Sequence, residues 1–340
     1  MTERTINLYS DTQTRPTEAM RAAMAAAEVG DEQRLLDPTI NELQERVAGL
    51  LGHDKAVFLP TGTMCNLIAI AVHTTPGESL LLEDLGHVLR SETSGAAAVN
   101  GCVIETIHGE RGRFTADQLA AAHSPGSRYE PPTSLLCLEQ THNFAGGAVW
   151  PLEQYAAVAQ RAHDLDMAVH TDGARLMNAV VATGASAPDW GRPVDSIWID
   201  FTKGLGAPIG AVLAGSERFI DDAWLYKHRF GGAMRQAGIA AAGCLYALDH
   251  HVDRLADDHS NATTLAEGLR ALGCEVVEPD TNIVFFGVDG LGLSSDEFCV
   301  KAGAAGVEFV AIGDRCRGVT HLDVDADDVT EALSRLSTIC

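Results

Sequence analysis

Residues 196–210 read SIWIDFTKGLGAPIG. A short apolar run, Ile197 to Phe201, ends at Thr202, and Lys203 then precedes three glycines and a proline. Lysine is almost never fully buried without a partner, so a lysine capping a core strand calls for a chemical reason. The G-x-G of GLGAPIG resembles a dinucleotide fingerprint, but that motif has to open a helix. Here Pro208 and the strand-like GAVLAG follow at once, so the spacing predicts a turn between two strands.

Working outward, the same kind of apolar run recurs as AVFLP (56–60), ESLLLED (78–84), CVIETIH (102–108), SLLCLEQ (134–140), MAVHTDG (167–173) and GAVLAG (210–215). Helical patterns lie between several of them. Ile40, Leu43, Val47 and Leu50 recur at helical spacing after Asp37-Pro38, a helix-start signal, and 153–165 forms a second such segment. This alternation predicts an α/β fold with a mostly parallel sheet flanked by helices. Residues 216–270 read as mostly helical. CEVVEP, NIVFFGV, VEFVAIG and GVTHLDV then surround the helix-like SDEFCVKAGAAG, a small C-terminal α/β unit. The expected division is an N-terminal segment (1–25) contributing to the active site, a large domain (26–250) and a small domain (251–340).

The 340 residues carry a net charge of −23 that is not gathered in a tail, which argues against a nucleic-acid or anionic-membrane partner. No apolar run approaches the ~18 residues of a membrane span, and the first residues lack a signal or transit pattern. The eight cysteines, Cys340 included, are scattered without a CxxC pair. They read as reduced thiols of a cytoplasmic protein. DHHVDRLADDH (249–259) is rich in metal-ligand types, but its spacing sets Asp249, Asp253 and Asp257 along one helix face, a solvated face, and no metal site is expected.

Ligands in open α/β sheets bind beyond the carboxyl ends of the strands. After AVFLP comes TGTMCNL, where a helix start can take a phosphate or be a plain capping turn. His87 follows ESLLLED, Asp172 and Arg175 follow MAVHT, and Lys203 follows SIWIDFT. Lysine for a Schiff base, an acid for a ring nitrogen and a helix N-terminus for a phosphate form a sensible set for pyridoxal 5'-phosphate.

SDTQTRPTEAM, LPTGTMCNL, LEQTHNFAGG, HTDGARLMNA, FTKGLGAPIG, GGAMRQAG and GVTHLDV, in this order from about residue 5 to the C-terminus, resemble the low-specificity L-threonine aldolases. The resemblance implies a fold-type I pyridoxal-phosphate enzyme related to aspartate aminotransferase. Such an enzyme cleaves threonine, allo-threonine or related β-hydroxy-α-amino acids to glycine and an aldehyde, as a homodimer or homotetramer with shared active sites. By position, Lys203 resembles the Schiff-base lysine, Asp172 the partner of the pyridine nitrogen, and Gly62 with Thr63 the phosphate turn. His87 resembles the imidazole stacked on the ring, either as the catalytic base or in a stacking role alone. Ser10, Arg175 and Arg317 resemble the groups that hold the substrate carboxylate. Arg235 falls in a segment that in the family approaches the phosphate from a neighbouring subunit.

Two departures stand out. The family pattern GDDVYGDDPT is here GDEQRLLDPT (30–39), placing Arg34 where a tyrosine is usual, and Leu35 and Leu36 after it. Tyr129 in SRYEPPT occupies the place of a histidine near the substrate hydroxyl. Arg34 and Tyr129 are thus neutral drift or signs of altered substrate choice. The alternative activity is β-elimination, racemisation or transamination of another β-substituted amino acid.

Overall fold

The structure, a computed structural model, describes residues 4–339. Cys340 and the outermost residues of the two terminal units lie outside the described residues. The strands are β1 (Ile6–Asn7), β2 (Lys55–Leu59), β3 (Ser79–Glu83), β4 (Val103–Ile107), β5 (Thr133–Glu139), β6 (Ala168–Asp172), β7 (Ser196–Asp200) and β8 (Ala211–Gly215). They continue with β9 (Glu275–Val276), β10 (Ile283–Gly287), β11 (Val307–Glu308), β12 (Val310–Ile312) and β13 (Arg315–Val319).

All seven apolar runs of the large unit join one sheet in the order β2-β8-β7-β6-β5-β3-β4. Within it β7, β6, β5, β3 and β4 run parallel, and β8 is antiparallel to both β7 and β2. The segment 201–210 therefore reverses the chain between two paired strands. Most residues of β3, β5, β7 and β8 are buried, as expected of strands covered by helices on both faces.

Local sequence places the helices. Asp37 accepts the Ile40 amide at 3.1 Å, Pro38 occupies the first turn, and Gly52 ends Pro38–Leu51 in the left-handed region at φ 73°. Thr61 caps the helix Gly62–His73 through the Met64 amide. The helix Gly238–His250 packs on Glu18–Ala25 and Pro38–Leu51.

The alanine-rich stretch is not one helix. It breaks after His250 and resumes as Leu255–Ala271. His251 is buried, and its Nδ1 meets the Leu205 carbonyl at 2.7 Å, a contact 46 residues away that helix periodicity does not report. Asp249, Asp253 and Asp257 therefore do not share one helix face, which corrects the expectation from spacing. Beyond the break, β12-β13-β10-β9 form an antiparallel sheet. The segment VEFVAIG is split: β11 pairs in parallel with β1 of the N-terminal segment, and β12 joins the sheet.

Candidate active site

Four adjacent parallel strands end in a carboxylate: Glu83 on β3, Glu139 on β5, Asp172 on β6 and Asp200 on β7. All four are buried. Burying ionised carboxylates is costly unless each is paired or hydrogen-bonded, so their partners define the site.

Asp200 takes Lys203 Nζ at 2.6 Å, and its other oxygen takes the amide and hydroxyl of Thr202 at 2.8 and 2.7 Å. Lys203 keeps 15% of its side-chain surface, and its carbonyl accepts the Thr14 hydroxyl at 3.0 Å. The chain has four lysines. Lys55 begins β2 at an exposed ion pair with Glu217, Lys227 is buried against Glu32, and Lys301 is exposed on the helix Ser295–Ala304. Lys203 alone stands among these strand ends.

Glu139 splits its oxygens between the backbone amides of Asn143 and His87, both at 2.8 Å. Glu83 lies 3.1 Å from Nε2 of the buried His142, which also faces Glu139 at 3.9 Å. Burial pulls the His142 pKa down, but Glu139 and Glu83 outweigh it and leave the pKa above its ordinary value.

Asp172 differs from the other three. It accepts the Asn66 amide at 2.8 Å and the Ala174 backbone N–H at 3.0 Å, and among the described residues no cation hydrogen-bonds it. Burial and the nearby Glu139 raise its pKa to about 6. Asn66 organises this end of the site. Its amide also donates to Glu92 at 2.7 Å, while its oxygen accepts Trp198 Nε1 at 2.8 Å and faces His170 Nε2 at 3.1 Å. Glu92 in turn meets His87 Nδ1 at 3.0 Å. Burial works against a charged His87, yet the Glu92 bond and the charges of Asp172 and Glu139 hold its pKa above the ordinary value. His87, Glu92 and Asp172 bring ligand atoms within 4.8 Å of one another, a set that could hold a cation. The Asn66 amide already bridges its two carboxylates.

Gly62 opens its helix against Trp198, and a Cβ there would sink into the indole ring. Thr63 next to it is exposed. The helix start thus lies on the same indole that anchors Asn66, beside Asp172.

The arginines form the other wall. Asp11 grips Arg175 bidentately at 2.7 and 2.6 Å, the geometry suited to a guanidinium. Burial disfavours the ionised Asp11, but Arg175 outweighs it and holds the carboxyl well below the usual range. Arg317 donates to the Asn143 oxygen at 3.1 Å and to the Tyr9 carbonyl at 3.2 Å, and Arg175 reaches the same Asn143 oxygen at 3.4 Å. Two guanidinia thus converge on one carbonyl oxygen. Burial and Arg175 press the Arg317 pKa down to about 10, and its Nε is buried without a partner. Ser10 is buried beside Asp11 and accepts the Thr12 amide at 3.2 Å.

Three expected residues stand apart. Tyr129 is 88% exposed on the loop that enters β5 from its N-terminal end, a full strand away from Glu139. Arg34 is exposed on the turn that Gln33 ties to the Met234 carbonyl at 3.0 Å. Arg235 follows on that segment and pairs with Asp31 at 3.2 Å, while Gly232 abuts Met64 in the first turn of Gly62–His73. Within one chain, none of the three bonds to Lys203, Asp172, His87 or the arginine pair. Asn66, Glu92, Glu139, Asn143 and Asp11 were not among the residues expected. All but Glu92 lie inside the motifs quoted above, the only signal that could have found them.

A family model for the beta-eliminating lyases matches residues 7–290. The low-specificity L-threonine aldolase of Escherichia coli is 39% identical over 327 residues, covering 96% of each chain. The chain belongs to the low-specificity L-threonine aldolase family. Low-specificity L-threonine aldolase 1 of Arabidopsis thaliana is 36% identical over 343 residues, covering 98% of this chain and 96% of its own. Among solved structures, a threonine aldolase of Leishmania major superposes with a TM-score of 0.85 at 18% identity, covering 98% of this chain and 99% of its own. An aspartate aminotransferase of Thermus thermophilus gives 0.75 at 17% identity, with 98% and 96% covered. The fold is therefore fold type I, and the family is one of lyases.

Proposed function

We propose that this protein is a pyridoxal-phosphate aldolase that cleaves threonine, allo-threonine or related β-hydroxy-α-amino acids into glycine and an aldehyde. The observation that carries this reading is the convergence of two guanidinia on the Asn143 oxygen, beside the strand ends that hold Lys203 and Asp172. The residues suit the cofactor. Lys203 would hold its aldehyde carbon, and Asp172, a buried carboxylate without a bonded cation, suits a protonated ring nitrogen. The first amides of Gly62–His73 suit its phosphate. When bound, the pyridine ring accepts the electron pair released as the Cα–Cβ bond breaks.

The chain's own groups do the rest. Arg175 and Arg317 take the substrate carboxylate, displacing the Asn143 oxygen, and so fix how the Cα substituents are turned. Asp11 keeps Arg175 in place, and Ser10 lies beside them. His87 commits Nδ1 to Glu92, leaving Nε2 to receive the β-hydroxyl proton; the raised pKa suits it to hold that proton. Next to Asn143 a cleft of about 600 Å³ is lined by the apolar Phe144, Phe285 and Ile312 and by the charged Asp84, Arg111 and Arg315.

The protein acts as a homo-oligomer, dimer or tetramer, with Arg34, Tyr129 and Arg235 offered to neighbouring subunits. Leu36 and Ile239, each more than half exposed, support such a face. Residues 26–250 and 251–339 serve as the two walls of the cleft, with the segment that carries Ser10 and Asp11 between them. A cytoplasmic location is supported by the scattered cysteines of the sequence. No helix of the described residues is long and apolar enough to cross a membrane.

The test is to supply L-threonine, L-allo-threonine and phenylserine to the cofactor-loaded protein. Equimolar glycine and aldehyde are expected. A 2-oxo acid with ammonia, or no turnover of any of the three, would overturn the reading.

A further inference from the structure

Cys299 lies on the helix Ser295–Ala304 and Cys316 on β13, with their sulfurs 3.8 Å apart. Cys316 is buried, whereas Cys299 is partly exposed. We propose that these two thiols are a modification site for peroxides, closing a reversible disulfide that displaces Arg317. The functional consequence rests on reading Arg317 as a carboxylate-binding group; the bond itself does not.

The chemistry follows from the placement. The Cys316 thiol lies 3.6 Å from the Ser295 carbonyl, to which it donates. The contact with Cys316 lowers the Cys299 pKa, and the same contact together with burial raises that of Cys316. The outer sulfur is the one a peroxide can reach, and as a thiolate it is the nucleophile. Cys299 thiolate attacks one peroxide oxygen, giving a sulfenic acid and hydroxide, which takes a proton to become water. Cys316 then gives up its proton, its sulfur attacks the Cys299 sulfur, and the sulfenic hydroxyl leaves as a second water. Two thiols are oxidised to one disulfide, and one peroxide is reduced to two waters. A dithiol reverses the bond by exchange.

Chain continuity carries the consequence. Cys316 is paired in register with Phe286 and Ala311, and Arg317 is the next residue of β13. Successive strand residues face opposite sides, so Cys316 points to the small-domain core while Arg317 points to Asn143 and Tyr9. A disulfide requires sulfurs about 2.05 Å apart. The sulfurs have to close by roughly 1.8 Å, through side-chain rotation together with movement of the helix and β13. A misplacement of about 1 Å at a substrate-orienting group can cost about 100-fold.

The experiment treats cofactor-loaded protein with hydrogen peroxide, alkylates it, and maps the digest by mass spectrometry, with Cys299→Ser and Cys274→Ser beside the wild type. A Cys299–Cys316 linked peptide is expected in the wild type and in Cys274→Ser, and is lost in Cys299→Ser. Glycine affinity should fall at least tenfold on oxidation and return with dithiothreitol. Amide exchange over 315–319 should rise in parallel, a readout that needs no substrate. If the reduced protein ignores glycine, the aldolase reading fails separately, and linkage with raised exchange still sustains the oxidation site. No linkage, Cys316 joined to Cys274, or linkage with unchanged exchange over 315–319 would each overturn the proposal.

Discussion

Replacing Asp172 by asparagine in the cofactor-free protein should change how stability depends on pH. The carboxyl is 2% exposed, and its pKa rises from 3.8 to about 6. A group whose folded pKa lies above its unfolded value contributes stability that is fully present below the unfolded pKa. That stability is lost as pH rises through the folded pKa. The window here runs from about pH 4 to pH 6. A shift of about two units is worth roughly 3 kcal/mol in full, and about 2 kcal/mol between roughly pH 4.5 and pH 7.5. The variant has no ionisable group there, so the wild type should lose this amount relative to it as pH rises. The substitution has a constant cost as well, because an amide at 172 turns a donor toward the Asn66 amide, whose oxygen is held by Trp198 and His170. That packing cost does not titrate and drops out of the comparison, while the lost Asp172 charge lowers the His87 pKa in the variant and deepens the same difference. Urea unfolding of both proteins at both pH values gives the four free energies. Bound cofactor should stabilise both proteins, and the wild type more than the variant near pH 7.5. A stability difference independent of pH, or one that favours the wild type more at high pH, would refute the reasoning.

Removing Asp11 (Asp11→Ala) leaves Arg175 buried without its carboxylate. The expected loss is about 3–5 kcal/mol, seen in thermal or urea unfolding, with weakened glycine binding. Leu35 holds φ at 57° in the left-handed region and is 61% exposed, so it pays backbone strain with little burial in return. Leu35→Gly should raise stability by roughly 0.5–1 kcal/mol, measured by unfolding; a loss would show that this side chain is buried by a partner.

The sheet was legible because most of its strands are buried on both faces and read as continuous apolar runs, the exposed edge strand β4 apart. Lys203, Asp172 and His87 were legible for the same reason: a chemical group directly after an oily run is a local signal. The network behind them was not. Asn66 bonds Asp172 across 106 residues, and Arg175 reaches Asp11 across 164. A polar residue inside a helix does not announce such partners. The break at His251 escaped for the same reason, since helical spacing continues through it. Arg34 and Tyr129 were read by position in a motif, and position gives neither exposure nor which end of a strand a loop occupies.

The claim on which the account turns is that Lys203, of the four lysines, carries the cofactor. Borohydride reduction of the yellow, cofactor-loaded protein, followed by peptide mapping, tests it directly. The account predicts a single reduced adduct on Lys203 and none in Lys203→Ala. An adduct on Lys55, Lys227 or Lys301, or a visible band that persists in Lys203→Ala without added amine, would contradict it.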